Sequence, residues 1–122
     1  MSLGKLRINS SNLLFSLCLA LDIAENRSYE HSRRTAYIAY NIAKHLQLEK
    51  KQINRAFYGA LVHDIGMTGK LSSCGIKEVH SDKKLKAEHC FLGSKIVEGL
   101  HMFDGLSQNI LYHHEEWNGN GI

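Results

Sequence analysis

The sequence predicts an all-α protein, a single bundle of about five helices occupying residues 1–122. Three observations lead there. Proline is absent and β-branched side chains are few, so little in the chain resists helix. Apolar residues recur at helical rather than alternating spacing. The hydrophobic fraction of 43% and charged fraction of 22% are those of an ordinary soluble domain, and 122 residues suffice for one core.

In chain order, Ser10 or Ser11 can cap a first helix that runs to about Ala24. Residues 26–30 are polar and read as a turn. A second helix follows from about His31 to Leu46, with Ala36, Ala39, Ala43 and Leu46 at helical spacing. Leu48 and Glu49 mark a short connection. The third helix has the clearest pattern: Ile53, Ala56, Phe57, Ala60, Leu61 and Asp64 fall at i, i+3, i+4, i+7, i+8 and i+11. Asp64 therefore shares a stripe with core residues. Gly66 and Gly69 end this helix and open an exposed glycine- and serine-rich loop through about Ser81. A fourth helix, about Lys83 to Leu100, puts Leu85, His89, Leu92 and Ile96 on one face. A fifth runs from about Gly105 to Trp117, carries Leu106 and Ile110, and closes on His113 and His114. The final Asn-Gly-Asn-Gly-Ile opens another loop.

Composition narrows the function classes. A net charge of +3 is too mild to argue for nucleic acid, and no basic stripe is interleaved with aromatics, so a nucleic-acid-binding bundle ranks last. The charge does suit a phosphate-bearing small molecule. Cys18, Cys74 and Cys90 are odd in number and at no paired spacing, which reads as reduced thiols in a cytoplasmic protein. The run LLFSLCLAL at 13–21 faintly resembles a signal-peptide core, but Asp22 follows at once without a cleavage pattern, and the run is too short for a membrane span.

The chain has eight histidines. His45, His80 and His101 lie on polar stretches and read as surface residues. His31 opens the second helix, His63 ends the third, His89 lies on the apolar stripe of the fourth, and His113 and His114 close the fifth. A lone histidine on such a stripe is more often a core residue, and a histidine pair can be an exposed helix end. Co-occurrence in one small chain points elsewhere. A divalent ion needs neutral imidazoles and a carboxylate at about 2 Å, and packed helices can aim such groups at one point. The pairs His63–Asp64 and His113–His114 can serve two neighbouring ions, because a carboxylate has two oxygens to bridge with. Two ions about 3.5–4 Å apart clamp a phosphoryl group and activate water.

Together, HSRR at 31–34, HDIG at 63–66, EHCFLGSKIV at 88–97 and HHEEWNGNGI at 113–122 resemble the HD superfamily of metal-dependent phosphohydrolases, and more narrowly its HD-GYP group. The likeness covers about residues 12–122. It implies an all-helical fold with a centre of two or three divalent ions, iron or manganese first, with zinc, magnesium and nickel as alternatives. It implies a bacterial signalling phosphodiesterase that opens cyclic di-GMP with metal-activated water. On that resemblance His31, His63, Asp64, His89, His113 and His114 are metal ligands, Asp64 is the bridging one, and His63 and Asp64 are the catalytic pair. Arg34, Lys70 and Glu115 are implied as substrate contacts, with a salt bridge as the other role for Arg34. Glu115 and Trp117 would also orient the histidine pair.

The sequence departs from the group at four places. Met67 stands where the group has a phosphate-facing lysine, which removes a charge-assisted contact; Lys70 is near but out of register. Arg27 stands where members with a third ion have glutamate, so two ions are expected. Ile122 takes the place of the signature tyrosine. No further helix with a final aspartate ligand follows, so the domain is expected to be cut short at its C-terminus. Two readings result: a phosphohydrolase acting on a phosphate-bearing small molecule such as a cyclic dinucleotide, or a catalytically degenerate HD-type binding or signalling module. An incomplete bundle leaves apolar surface uncovered, which predicts a homodimer, formed in one version by helix exchange.

Overall fold

A computed structural model of the chain describes residues 9–26, 30–69, 76–100 and 103–122. Among the described residues there are six α-helices, one 3-10 helix and no strand, so the fold is all-α. In order these are α1 (Ser10–Ala24), α2 (His31–His45), α3 (Lys50–Val62), the 3-10 turn (Ile65–Gly69), α4 (Ile76–Ser81), α5 (Lys83–Glu98) and α6 (Ser107–Leu111). Arg27, Lys70, Cys74 and His101 lie outside the described residues.

Caps set the helix starts. Asn9, not Ser10 or Ser11, caps α1, its side chain accepting from the Asn12 N–H at 3.2 Å. A reciprocal capping box between Glu49 and Gln52 starts α3. Asp82 caps α5, accepting from the Leu85 N–H at 2.9 Å. The interior is a shared cluster in which Leu14 and Cys18 of α1 meet Leu61 and Val62 of α3, Val97 of α5 and Ile110 of α6. The Cys18 thiol donates to the Leu61 carbonyl at 3.2 Å; burial, then the nearby Asp22 charge, push it up to about 12, so it stays an inert core thiol.

Three sequence expectations are corrected. The stretch after Gly66 is not loop throughout: residues 65–69 form the 3-10 turn and 76–81 form α4, with Met67 and Val79 buried, which raises the helix count, while residues 70–75 lie outside the described residues. The fifth expected helix is only α6, because the chain tightens at Tyr112 and His113 and turns away, so the histidine pair rides a turn rather than a helix end. The buried face of α5 is His89, Cys90, Gly93, Ser94 and Val97, one step round from the expected stripe, and Leu92 is exposed.

The rotation of α5 has a cause. A Cβ built on Gly66 would lie 1.9 Å from the His89 carbonyl oxygen and 2.6 Å from the Gly93 nitrogen. A Cβ on Gly93 would lie 3.2 Å from the Gly66 nitrogen. The 3-10 turn and α5 therefore touch backbone to backbone, with glycine on both sides. That contact carries Asp64, two residues before Gly66, to His89, four residues before Gly93.

A second device positions His31. The residue before α2, Glu30, has φ of 59° and supplies no side-chain cap. Buried Asp22 of α1 replaces it, accepting from the Ser32 N–H at 3.1 Å and the Ser32 hydroxyl at 2.8 Å. Asp22→Ala is expected to cost about 2 kcal/mol, the sum of a lost cap and an orphaned buried hydroxyl. Urea unfolding with an unchanged m-value checks it, and a change below about 0.5 kcal/mol would refute this role for Asp22.

Candidate metal centre

The six donors named from the sequence converge. Asp64 is buried at the turn between α3 and the 3-10 helix. Its Oδ2 faces His63 Nε2 at 2.8 Å and His31 Nε2 at 3.9 Å. Its Oδ1 faces His89 Nε2 and His113 Nε2, each at 3.5 Å. His89 and His113 approach each other at 3.3 Å through the same nitrogens, and the His113 and His114 ring centroids are 4.2 Å apart. Two sets that could hold an ion share this carboxylate: His31, His63 and Asp64, and Asp64, His80, His89 and His114, the donor atoms of each set lying within 4.8 Å of one another.

The imidazoles are aimed by their own backbone. His63 Nδ1 lies 2.8 Å from the Ala60 carbonyl, His113 Nδ1 2.7 Å from that of Ile110, and His89 Nδ1 3.3 Å from that of Leu85. A carbonyl only accepts, so in each ring Nδ1 carries the proton and donates. Nε2 is then the atom turned to Asp64, the tautomer a metal ligand requires. His114 Nε2 is buried without a hydrogen-bond partner, which a ligand atom would be in the absence of its ion. Imidazoles around a bridging carboxylate fit a divalent first-row metal.

Electrostatics agree with a site that competes for cations. Burial works to raise the Asp64 carboxyl, but the imidazoles of His113, His63 and His89 outweigh it and hold it well below the carboxylate range. Burial opposes charge on His89 and His113, yet Asp64 and then Cys90 raise them to about 9 and about 10. His114 is lowered to about 4 by burial and then by the neighbouring charges of His113, His89 and His80, so it is neutral and ready to ligate at pH 7. The raised pair stabilises the metal-free fold fully below about pH 6.5, and that contribution is lost as pH rises through 9 and 10. Ions need the same nitrogens deprotonated. Manganese binding at pH 7 is therefore expected to release about two protons per chain. Titration calorimetry in buffers of different ionisation enthalpy checks this, and heats independent of buffer would contradict it.

Two nearby residues escaped the sequence reading. His80, expected on the surface, instead turns its ring inward, 5.1 Å from His114 and 6.0 Å from His89 between centroids. The Cys90 Sγ lies 3.5 Å from His113 Nδ1; burial alone would raise the thiol, but bonds with His113 and His89 lower it to about 7. Neither residue has a sequence signal, since both depend on how α4 and α5 are rotated.

The remaining expected residues take other places. Met67, 1% exposed, is a core side chain and does not face a ligand. Glu115 Oε1 accepts from the Glu116 and Gly121 N–H groups, both at 2.9 Å, and so closes the loop after the histidine pair. Trp117 is 106% exposed and packs on nothing, contrary to a role in fixing that pair. Arg34 lines a groove of about 550 Å³ with Phe15, Arg33 and Tyr37, and none of the six donors lines it. A smaller cavity of about 260 Å³ opens beside His63 and His113 and carries Thr35, Arg55 and Asn109. Of the two, the smaller cavity is the one that donor side chains line.

Residues 28–121 match the family model described as "HD domain", so the chain belongs to the HD domain family. Among curated proteins it is similar to the 3'3'-cGAMP-specific phosphodiesterase 1 of Vibrio cholerae serotype O1, at 24% identity over 110 residues. That alignment covers 90% of this chain but 25% of the relative, so the chain spans a quarter of the protein it matches. No solved structure matches it. No described helix is long and apolar enough to cross a membrane.

Proposed function

We propose that this chain is an HD-GYP-like phosphodiesterase that hydrolyses a cyclic dinucleotide, with cyclic di-GMP the first substrate to try, at a centre of two divalent ions. One observation carries the reading: Asp64 presents one oxygen to His31 and His63 and the other to His89 and His113. A carboxylate so flanked is suited to bridging. When bound, the ions supply Lewis-acid polarisation of phosphoryl oxygens and lower the pKa of water. The chain's own residues hold and aim: His31 and His63 on one side of Asp64, His89, His113 and His114 on the other, each anchored Nδ1 keeping its Nε2 in place. Arg34 and Lys70 are the candidate cations for substrate phosphates, and Glu115 supports the histidine turn. The similarity to a phosphodiesterase named for a cyclic dinucleotide supports the substrate class.

The test is turnover by manganese- or iron-loaded protein of cyclic di-GMP, 3'3'-cGAMP and bis(p-nitrophenyl) phosphate. The expected product is a linear dinucleotide, absent with Asp64→Asn. Protein that holds two ions yet turns over none of the three would favour the alternative, a degenerate HD-type module. Met67 speaks for that alternative, because a buried thioether offers a phosphate nothing. We also propose a homodimer, since Leu13 and Ile23 of α1 and Tyr37, Ile38 and Ile42 of α2 expose more than half of their surface. Light scattering that gives a monomer at working concentration would remove it.

A further inference from the structure

His80 belongs to no motif. It sits on α4, a six-residue helix in a stretch whose composition suggests an exposed loop. Two contacts fix it there. Val79, fully buried, anchors α4 in the interior. The Asp82 cap on α5 sets the turn between the two helices. α4 and α5 therefore carry His80 and His89 side by side. The buried Nε2 of His80 shares its surroundings with the buried Nε2 of His114, and the two rings are 5.1 Å apart, edge to face. One donor atom each from Asp64, His80, His89 and His114 fits within 4.8 Å.

We infer that His80 is a ligand of the second divalent ion, its donor atom grouped with those of Asp64, His89 and His114. The inference rests on the metal-dependent reading above. Without His80 that subsite draws on Asp64 at the 3-10 junction, His89 of α5, and His113 and His114 of the α6 turn. With it, a further donor arrives from a separate element, α4, and a six-coordinate ion such as manganese would still keep a position for water. A divalent ion there would tie α4 to α5 and to the α6 turn. The other ion, on His31, His63 and Asp64, takes nothing from α4, so the two ions should respond differently to loss of His80.

The experiment is a manganese titration of the full chain, followed by calorimetry and electron paramagnetic resonance, with metal counted after desalting. His80→Ala, His80→Asp and His45→Ala are compared with wild type. Wild type is expected to hold about two ions per chain and to show an exchange-coupled signal. His80→Ala should keep one ion at wild-type affinity and weaken the other at least about ten-fold, leaving an uncoupled six-line signal. His80→Asp, which restores an oxygen donor, should recover the second ion; His45→Ala, on the exposed end of α2, should change nothing. Should the alanine variant not fold by circular dichroism, His80→Asn is read in its place. Two ions at unchanged affinity in His80→Ala would overturn the role of His80 and leave the metal centre standing. A folded wild type that takes up no manganese or iron would overturn the metal reading itself, and His80 with it.

Discussion

Gly66→Ala is expected to abolish the cooperative fold or to lower its melting temperature by more than about 10 °C, a loss above about 3 kcal/mol. The new methyl carbon would lie 1.9 Å from the His89 carbonyl oxygen and 2.9 Å from the carbonyl carbon. These are backbone atoms of a helix interior, which no rotamer change can move. Relief requires the 3-10 turn and α5 to separate, and that opens the core around Ile65. Gly93→Ala should cost less, because its nearest neighbour is a methyl group of Ile110 at 2.9 Å, which can shift. Gly119→Ala should cost only about 1 kcal/mol, since its φ of +74° is strained for alanine but nothing lies within 4 Å. Thermal melts of the three variants should rank in that order. A Gly66 variant as stable as the Gly119 variant would mean that the two backbones are not in contact.

Asp64→Asn should remove both ions at once, because that carboxylate is common to both donor sets. Elemental analysis after reconstitution with manganese should fall from about two ions per chain to near zero. The metal-free protein should suffer too. Burial disfavours charge on His89 and His113, and the carboxylate leads the groups that hold them protonated. Without it their pKa values should fall, which proton-detected titration of the imidazoles would follow. Removing one partner of a buried charged set costs about 3 kcal/mol. A variant that kept one ion at wild-type affinity would show that Asp64 serves a single subsite and would end the two-ion reading.

The contrast between these positions explains what the sequence could and could not reveal. His31, His63, Asp64 and His89 were legible because each sits on or beside a helix long enough to show a period, and a polar residue on an apolar stripe stands out. His113 and His114 were legible as a pair, although the helix expected to carry them is shorter than its apolar residues suggest. By local pattern Gly66 is a helix terminator. Its larger role is to let two backbones meet, and no local pattern records a partner 27 residues away. His80 and Met67 were misplaced for the same reason. In a short glycine- and serine-rich stretch there is too little chain for a period, so burial of Met67 and Val79 is decided by tertiary packing alone. Asp22 illustrates the reverse case: an acidic residue that looked like the end of an apolar run is a cap delivered from another helix.

The Nδ1 contacts of His63, His89 and His113 bear on the order in which the centre assembles. Each ring is tethered to a carbonyl three or four residues earlier in its own segment. Its direction is therefore set as soon as that single turn forms, before the segments meet. Ordering an imidazole's side-chain torsions is then a local event, and docking has only to bring already-aimed nitrogens within range. A newly arriving cation meets a receptor whose parts were oriented separately and need only be gathered, so its binding energy is free to favour the docked arrangement of the helices over looser ones.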